Sequence, residues 1–140
     1  MSRSTNGFTL IEMMVVIAVI AILAGLVGPM VFRNVGDAKI TAAKAQLELL
    51  GLALEQYRLD NDYTPSTAQG LEALRTAPQG DPTSHNWRGP YLPKRVPMDP
   101  WGHPYMYRSP GEHNPYDLFS LGRDGREGGS GEDADLGREP

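Results

Sequence analysis

The stretch GFTLIEMMVVIAVIAILAGLVGPM, residues 7–30, places a single carboxylate, Glu12, near the start of the one long apolar run in the chain. The few residues ahead of Phe8 are mostly polar and include Arg3. Residues 13–28 carry no charged or strongly polar side chain, and after Pro29 the run resumes through Phe32 until Arg33 ends it. Residues 13–32 are enough to cross a hydrocarbon core of about 30 Å at about 1.5 Å per residue.

A cleaved secretory signal needs only about 7 to 15 apolar residues followed by a small-residue cleavage site, and this run is longer. A helix buried in a soluble domain would need cover on every face, and little chain remains to supply it. Pro29 removes one helical hydrogen bond and crowds the carbonyl of residue 25. With Gly25 and Gly28 beside it, a kink or a locally unwound turn is expected there, a flexible joint near the membrane boundary. A carboxylate in or near hydrocarbon is costly without a partner, so Glu12 is a functional candidate by position. If the chain is cut between Gly7 and Phe8, the new amino terminus lies four residues before Glu12. The carboxylate then has two candidate partners, its own terminal amine and that of a neighbouring copy; an interfacial acid held by water alone is the plainer alternative.

These residues resemble the amino-terminal motif of the type IV pilin and pseudopilin superfamily: a short polar leader ending in glycine, a phenylalanine, a glutamate at the fifth position after the cut, and an apolar helix. The resemblance implies cleavage after Gly7 by a prepilin peptidase of the inner membrane, methylation of the Phe8 amine, and an assembly contact at Glu12.

Beyond Arg33, Ile40, Ala43, Leu47, Leu50, Leu54 and Tyr57 recur at spacings of three and four, a one-sided helical stripe. Lys39, Lys44, Glu48, Glu55 and Arg58 are left for wetter faces. Asp60, Asn61 and Asp62, followed by Pro65, supply a stop. From Tyr63 onward short segments alternate with proline, glycine and aromatic residues. A short helix is expected in TAQGLEALRTA with Leu71 and Leu74 inward. A strand is expected around residues 104–108, a turn in SPGEHNP, and a second strand in YDLFSLG. A small antiparallel sheet against the long helix is the economical solution. Trp87, Tyr91, Trp101, Tyr105, Tyr107 and Phe119 are expected to fill the core rather than line a ligand surface. His85, His103 and His113 form no tight ligand pair, and no grouping points to a catalytic triad or a glycosidase-like carboxylate pair.

The chain has 140 residues and a formal net charge of -4. The charge is uneven, since residues 112–140 carry three Lys or Arg against eight Asp or Glu. An acidic tail gives no support to nucleic-acid binding. The absence of cysteine excludes a disulfide scaffold and thiolate metal sites. SLGRDGREGGSGEDADLG sets Asp124, Glu127, Glu132, Asp133 and Asp135 among six glycines. On composition alone, a disordered acidic tail and a loop closed by a hard cation are both open. The spacing does not fit an EF-hand.

The segment DPWGHPYMYRSPGEHNPYDLFSLGRDGREGGSGEDADL resembles the carboxy-terminal signature of the major pseudopilins of type II secretion systems, whose end loop binds calcium. The resemblance implies side-chain ligands at Asp124 and Asp133, with carbonyls from Leu121, Arg126 and Ser130. Asp135 is then expected to cap or hydrogen-bond the closing loop and Glu127 and Glu132 to be solvated. His103 and the GEHNP turn read as local variation, and both are expected to leave the ion site undisturbed, with the turn able to alter a neighbouring loop.

The sequence therefore suggests an α+β, pilin-like fold: a long amino-terminal helix, membrane-spanning in its first half, packed by its second half on a small antiparallel sheet, with a calcium-binding carboxy-terminal loop. The expected divisions are a leader at 1–7, a transmembrane and assembly helix at 8–32, an amphipathic periplasmic helix at 33–62 and a small periplasmic domain at 63–140. The resemblance implies a non-catalytic subunit of a helical periplasmic pseudopilus that helps move folded proteins across the outer membrane. Its implied partners are further copies of itself, prepilin peptidase, minor pseudopilins, an inner-membrane assembly platform and, through it, a cytoplasmic ATPase. The rivals are a type IV pilus subunit, which often closes its end region with a disulfide, and a membrane-tethered binding module, which would bind its ligand as a monomer after loss of residues 1–32.

Overall fold

The computed structural model describes residues 7–137; the first six leader residues and the last three residues of the chain lie outside the described part. The element order is α1 (Leu10–Asn61), a 3-10 turn η1 (Leu71–Leu74), β1 (Met106–Arg108), β2 (Asp117–Phe119) and a second 3-10 turn η2 (Gly131–Asp133). Compact packing divides the chain into two units, one ending at Gly36 and one starting at Asp37. They are described separately.

In the first unit, α1 is long and apolar enough to cross a membrane, and the qualifying window buries none of its surface within the chain. Ile11, Ile17, Ile22, Leu26 and Phe32 are all more than half exposed. A surface of that kind needs lipid or other helices around it. The helix is unbroken through Pro29, so the locally unwound turn expected there is not found. Gly25 and Gly28 have open space where a Cβ would stand, which gives the backbone around the ring room to adjust.

In the second unit, the predicted stripe is the buried face. Ala43, Leu47, Leu50, Leu54 and Tyr57 are buried, with Ile40 packed partly against them. Each fully buried Leu contributes about 1.5–3 kcal/mol relative to exposure. The helix ends where the Asp-Asn-Asp run predicts: Asn61 is buried and its side-chain amide donates to the Tyr57 carbonyl at 3.0 Å. Asp62 then takes a left-handed φ of 68°, a conformation that Asp tolerates better than most residues.

Leu71, Ala73 and Leu74 of η1 close one side of this core. The sheet closes another, with β1 and β2 antiparallel and Met106 facing Phe119, Tyr107 facing Leu118 and Arg108 facing Asp117. The last pair is a cross-strand ion pair at 2.7 Å. Asp117 also accepts the Glu112 N–H, which tightens the turn between the strands. Each strand has three residues, shorter than the sequence segments suggest, because the flanking prolines and glycines cannot extend the ladder.

The aromatic residues fill the core as expected. Tyr57, Tyr91 and Trp87 stack edge to face with ring centres 5.6 and 5.7 Å apart. Four of the aromatic residues have their polar ends tied down: Trp87 Nε1 donates to the Ala73 carbonyl, Tyr91 Oη to Asp60, Tyr105 Oη to Gln46 and Tyr107 Oη to the Pro65 carbonyl.

Candidate functional site

Two regions carry the candidate residues, one in each unit. At the amino-terminal end, Gly7 and Phe8 lie ahead of α1 in irregular, exposed backbone, and Phe8 is 81% exposed. A cut between them therefore meets no packed structure. Glu12 has a partner that the sequence reading did not name. Its Oε2 accepts the Thr9 N–H at 2.8 Å, while Thr9 Oγ1 accepts the Glu12 N–H at 3.3 Å. This is a capping box, which satisfies two otherwise orphaned donors at a helix start. The signal was present as T-x-x-E directly before an apolar run. It leaves Glu12 exposed, at the rim of the helix's positive end.

At the other end, the acidic segment closes on itself. A short antiparallel bridge joins Ser120 to Leu136, with both N–H···O contacts at 2.9 Å. Inside it, the Arg123 N–H donates to the Glu132 carbonyl at 2.8 Å. Gly122 has φ +68°, and a Cβ there would stand 2.7 Å from the carbonyls of Glu132 and Ala134. Only glycine accommodates both the left-handed backbone and that approach. A Cβ on Gly129, at φ +89°, would collide with the Asp133 carbonyl.

The five residues implied as calcium ligands all fall within this closed loop, each with its own contacts. Asp124 Oδ1 accepts the Arg126 N–H at 3.1 Å, and the Ser130 carbonyl accepts the Asp133 N–H at 3.2 Å. Asp133 is gripped by Arg123 through a two-pronged fork, Nε to Oδ1 at 2.8 Å and Nη2 to Oδ2 at 2.9 Å. That contact, hydrogen bond first and charge second, raises the Arg123 pKa above its ordinary value. Leu121 is half-buried beside the bridge. Asp135 does what was expected of it, accepting the Gly128 N–H at 3.2 Å.

One expectation fails here. Glu132 is not left to solvent, for its Oε2 accepts the Trp101 Nε1–H at 3.1 Å and its Oε1 lies 3.6 Å from Arg123. His103 also meets the loop: its Nδ1 lies 3.0 Å from the Gly122 carbonyl and its ring borders Gly125. The buried Asp99 explains both. It accepts the Trp101 and His103 N–H groups and the Ser120 hydroxyl, the last at 2.6 Å. Ser120 Oγ in turn accepts the Gly122 N–H at 3.1 Å. The 99–103 turn thus meets the Gly122 carbonyl directly through His103 and the Gly122 N–H indirectly, through the Ser120 hydroxyl that Asp99 holds.

Whether these residues suit a divalent cation turns on the chemistry of the donors. Two carboxylates and backbone carbonyls are the hard oxygens that Ca2+ takes, and a carbonyl oxygen already accepting one hydrogen bond keeps a second lone pair. Residues 121–137 carry five acidic side chains against Arg123 and Arg126, so a dication would offset most of a net charge of -3. Among the described residues no cluster of three His, Cys, Asp or Glu is positioned for a metal. The donor types are those that calcium takes, and one of the two carboxylates, Asp133, is already held by Arg123.

Comparison with known proteins agrees with this architecture. The family described as "Type II secretion system (T2SS), protein G" matches residues 30–139, and the prokaryotic N-terminal methylation motif matches residues 2–28. The chain is 51% identical to the type II secretion system core protein G of Pseudomonas aeruginosa over 135 residues, covering 96% of this chain and 95% of that one. It is 47% identical to that of Vibrio cholerae, covering 96% and 92%. The crystal structure of the major pseudopilin from the type 2 secretion system of enterohaemorrhagic Escherichia coli superposes with a TM-score of 0.64 at 37% identity, covering 75% of this chain and 90% of that one. With a methylation motif ahead of a spanning helix and a family match over nearly all that follows, the chain belongs to the protein G family of the type II secretion system, the major pseudopilins.

Proposed function

We propose that this chain is the major structural subunit of a type II secretion pseudopilus, anchored in the inner membrane by α1 with its carboxy-terminal domain in the periplasm. It performs no catalysis. The observation that carries this function is the family match across residues 30–139 behind an amino-terminal methylation motif. Physically, a helical run whose large apolar side chains, from Leu10 to Phe32, are exposed in the single chain is suited to lie in lipid first and against other copies afterwards.

Several finer points extend that function. Prepilin peptidase cuts between Gly7 and Phe8 and methylates the new amine; the exposed, irregular backbone at that bond supports this. Glu12 pairs with the freed amine of a neighbouring copy during assembly, and Pro29 gives the helix local freedom as it leaves the membrane. Minor pseudopilins, the assembly platform and its cytoplasmic ATPase are the partners that family membership implies. In the loop, Asp124 and Asp133 with the carbonyls of Leu121, Arg126 and Ser130 would hold calcium, whose charge would offset the acidic side chains and keep the loop in one shape.

Deleting the chain from its host and measuring export of a folded type II substrate tests the function. Export is expected to stop and to return with the wild-type chain. Normal export without it, or restoration of twitching motility rather than secretion, would contradict the assignment.

A further inference from the structure

We infer that Arg123 is a cation built into the acidic loop, and that it competes with calcium for the Asp133 carboxylate. This rests on the calcium reading of the loop. The fork engages both oxygens of Asp133, at 2.8 and 2.9 Å, and charge-assisted pairs of that geometry are the strong ones. Calcium needs an oxygen of the same carboxylate at about 2.3–2.6 Å. The two cations would then sit side by side and repel.

Asp133 has little freedom to serve both. Its N–H is held by the Ser130 carbonyl at the start of η2, and its own carbonyl lies where a Cβ on Gly129 would collide with it. Arg123 has more. Its backbone is fixed by the bond to the Glu132 carbonyl, but its side chain is 56% exposed. A second seat is already present, because Nη1 lies 3.6 Å from Glu132 Oε1. Glu132 itself is anchored by Trp101 through its other oxygen. Ion binding therefore hands the guanidinium from Asp133 to Glu132 instead of expelling it, and the loop keeps a closing contact in either condition. Calcium affinity is lowered by the competition, and the calcium-depleted loop is less disordered than its charge would suggest.

The test uses the full chain in detergent, with calcium titrated calorimetrically into wild type, Arg123→Gln, Arg123→Lys and Asp133→Asn, and melting recorded in chelator and in calcium. Arg123→Gln is expected to bind calcium about two- to fivefold more tightly, the factor appropriate to an exposed ion pair. It should melt below wild type in chelator and alongside it in calcium. Arg123→Lys, which keeps the charge but loses the fork, should fall between them and stands in if the glutamine variant does not fold. Asp133→Asn should bind more weakly than wild type. Equal or weaker calcium binding by Arg123→Gln, or undiminished binding by Asp133→Asn, overturns the competition while leaving calcium binding intact. If no variant binds calcium and chelator leaves the wild-type melt unchanged, the calcium reading itself fails, and the competition with it.

Discussion

Glu12 illustrates how one side chain can serve two states of a chain. In the single subunit its carboxylate accepts the Thr9 N–H and caps α1. In a filament the same oxygens are proposed to meet a neighbour's amine. The two roles separate by substitution, because glutamine accepts the Thr9 N–H as well as glutamate does but carries no charge. Glu12→Ala and Glu12→Gln are both expected to insert and to be processed while failing to enter filaments, scored by crosslinking of assembled subunits. If the glutamine variant assembles normally, the residue works as a cap and the charge pairing must be given up. The Arg123–Asp133 fork belongs to the same scale: its strength lies in two aligned contacts, and a lysine cannot reproduce it.

Within α1, the portion from Asp37 to Asn61 is stable through one face. Leu50 is 1% exposed and touches the core, whereas Leu52, two residues on, is 67% exposed. Leu50→Ala is expected to cost about 2–5 kcal/mol of unfolding free energy, and Leu52→Ala to stay within about 0.5 kcal/mol. Denaturant titration of the two variants checks the contrast. Leu49, Leu52 and Leu59 form an exposed apolar row on the outward side of the same helix, so a Leu52 variant that folds normally remains available for assembly assays. The sheet gains from its Arg108–Asp117 pair and from the turn that Asp117 closes, but its three-residue strands depend on the helix for a surface to lie on.

At the scale of the molecule, buried phenols bind helix, loops and sheet into one core. Burial pushes Tyr57 and Tyr105 up to about 12 from the ordinary 10.0, with neighbouring phenols adding for Tyr57 and Asp99 adding for Tyr105. The unfolded chain would ionise these groups near 10, the folded domain near 12. Below pH 10 both states keep the proton and stability is unaffected; between about 10 and 12 the unfolded state loses it first, so stability falls as pH rises. Circular dichroism melts from pH 8 to 12 should show this decline. Tyr105→Phe should flatten it, at a cost of about 1 kcal/mol near neutrality for the lost bond to Gln46. A decline as steep in the variant as in the wild type would assign the alkaline sensitivity to other groups.

By itself the sequence determined what depends on neighbours along the chain: the spanning run, the three-and-four stripe from Ile40 to Tyr57, the stop at Asp60 to Asp62, and the turn between strands. The capping box of Thr9 and Glu12 is equally legible in the sequence, being a contact across three residues. Only the tertiary structure decided how the acidic loop is held. Trp101 reaches Glu132 across 31 residues, His103 reaches Gly122 across 19, and Asp99 reaches Ser120 across 21. Helix and strand periodicities describe which face a residue occupies, not which distant segment lies against it. A contact between two irregular segments follows from packing, and it becomes visible once the core has set their positions.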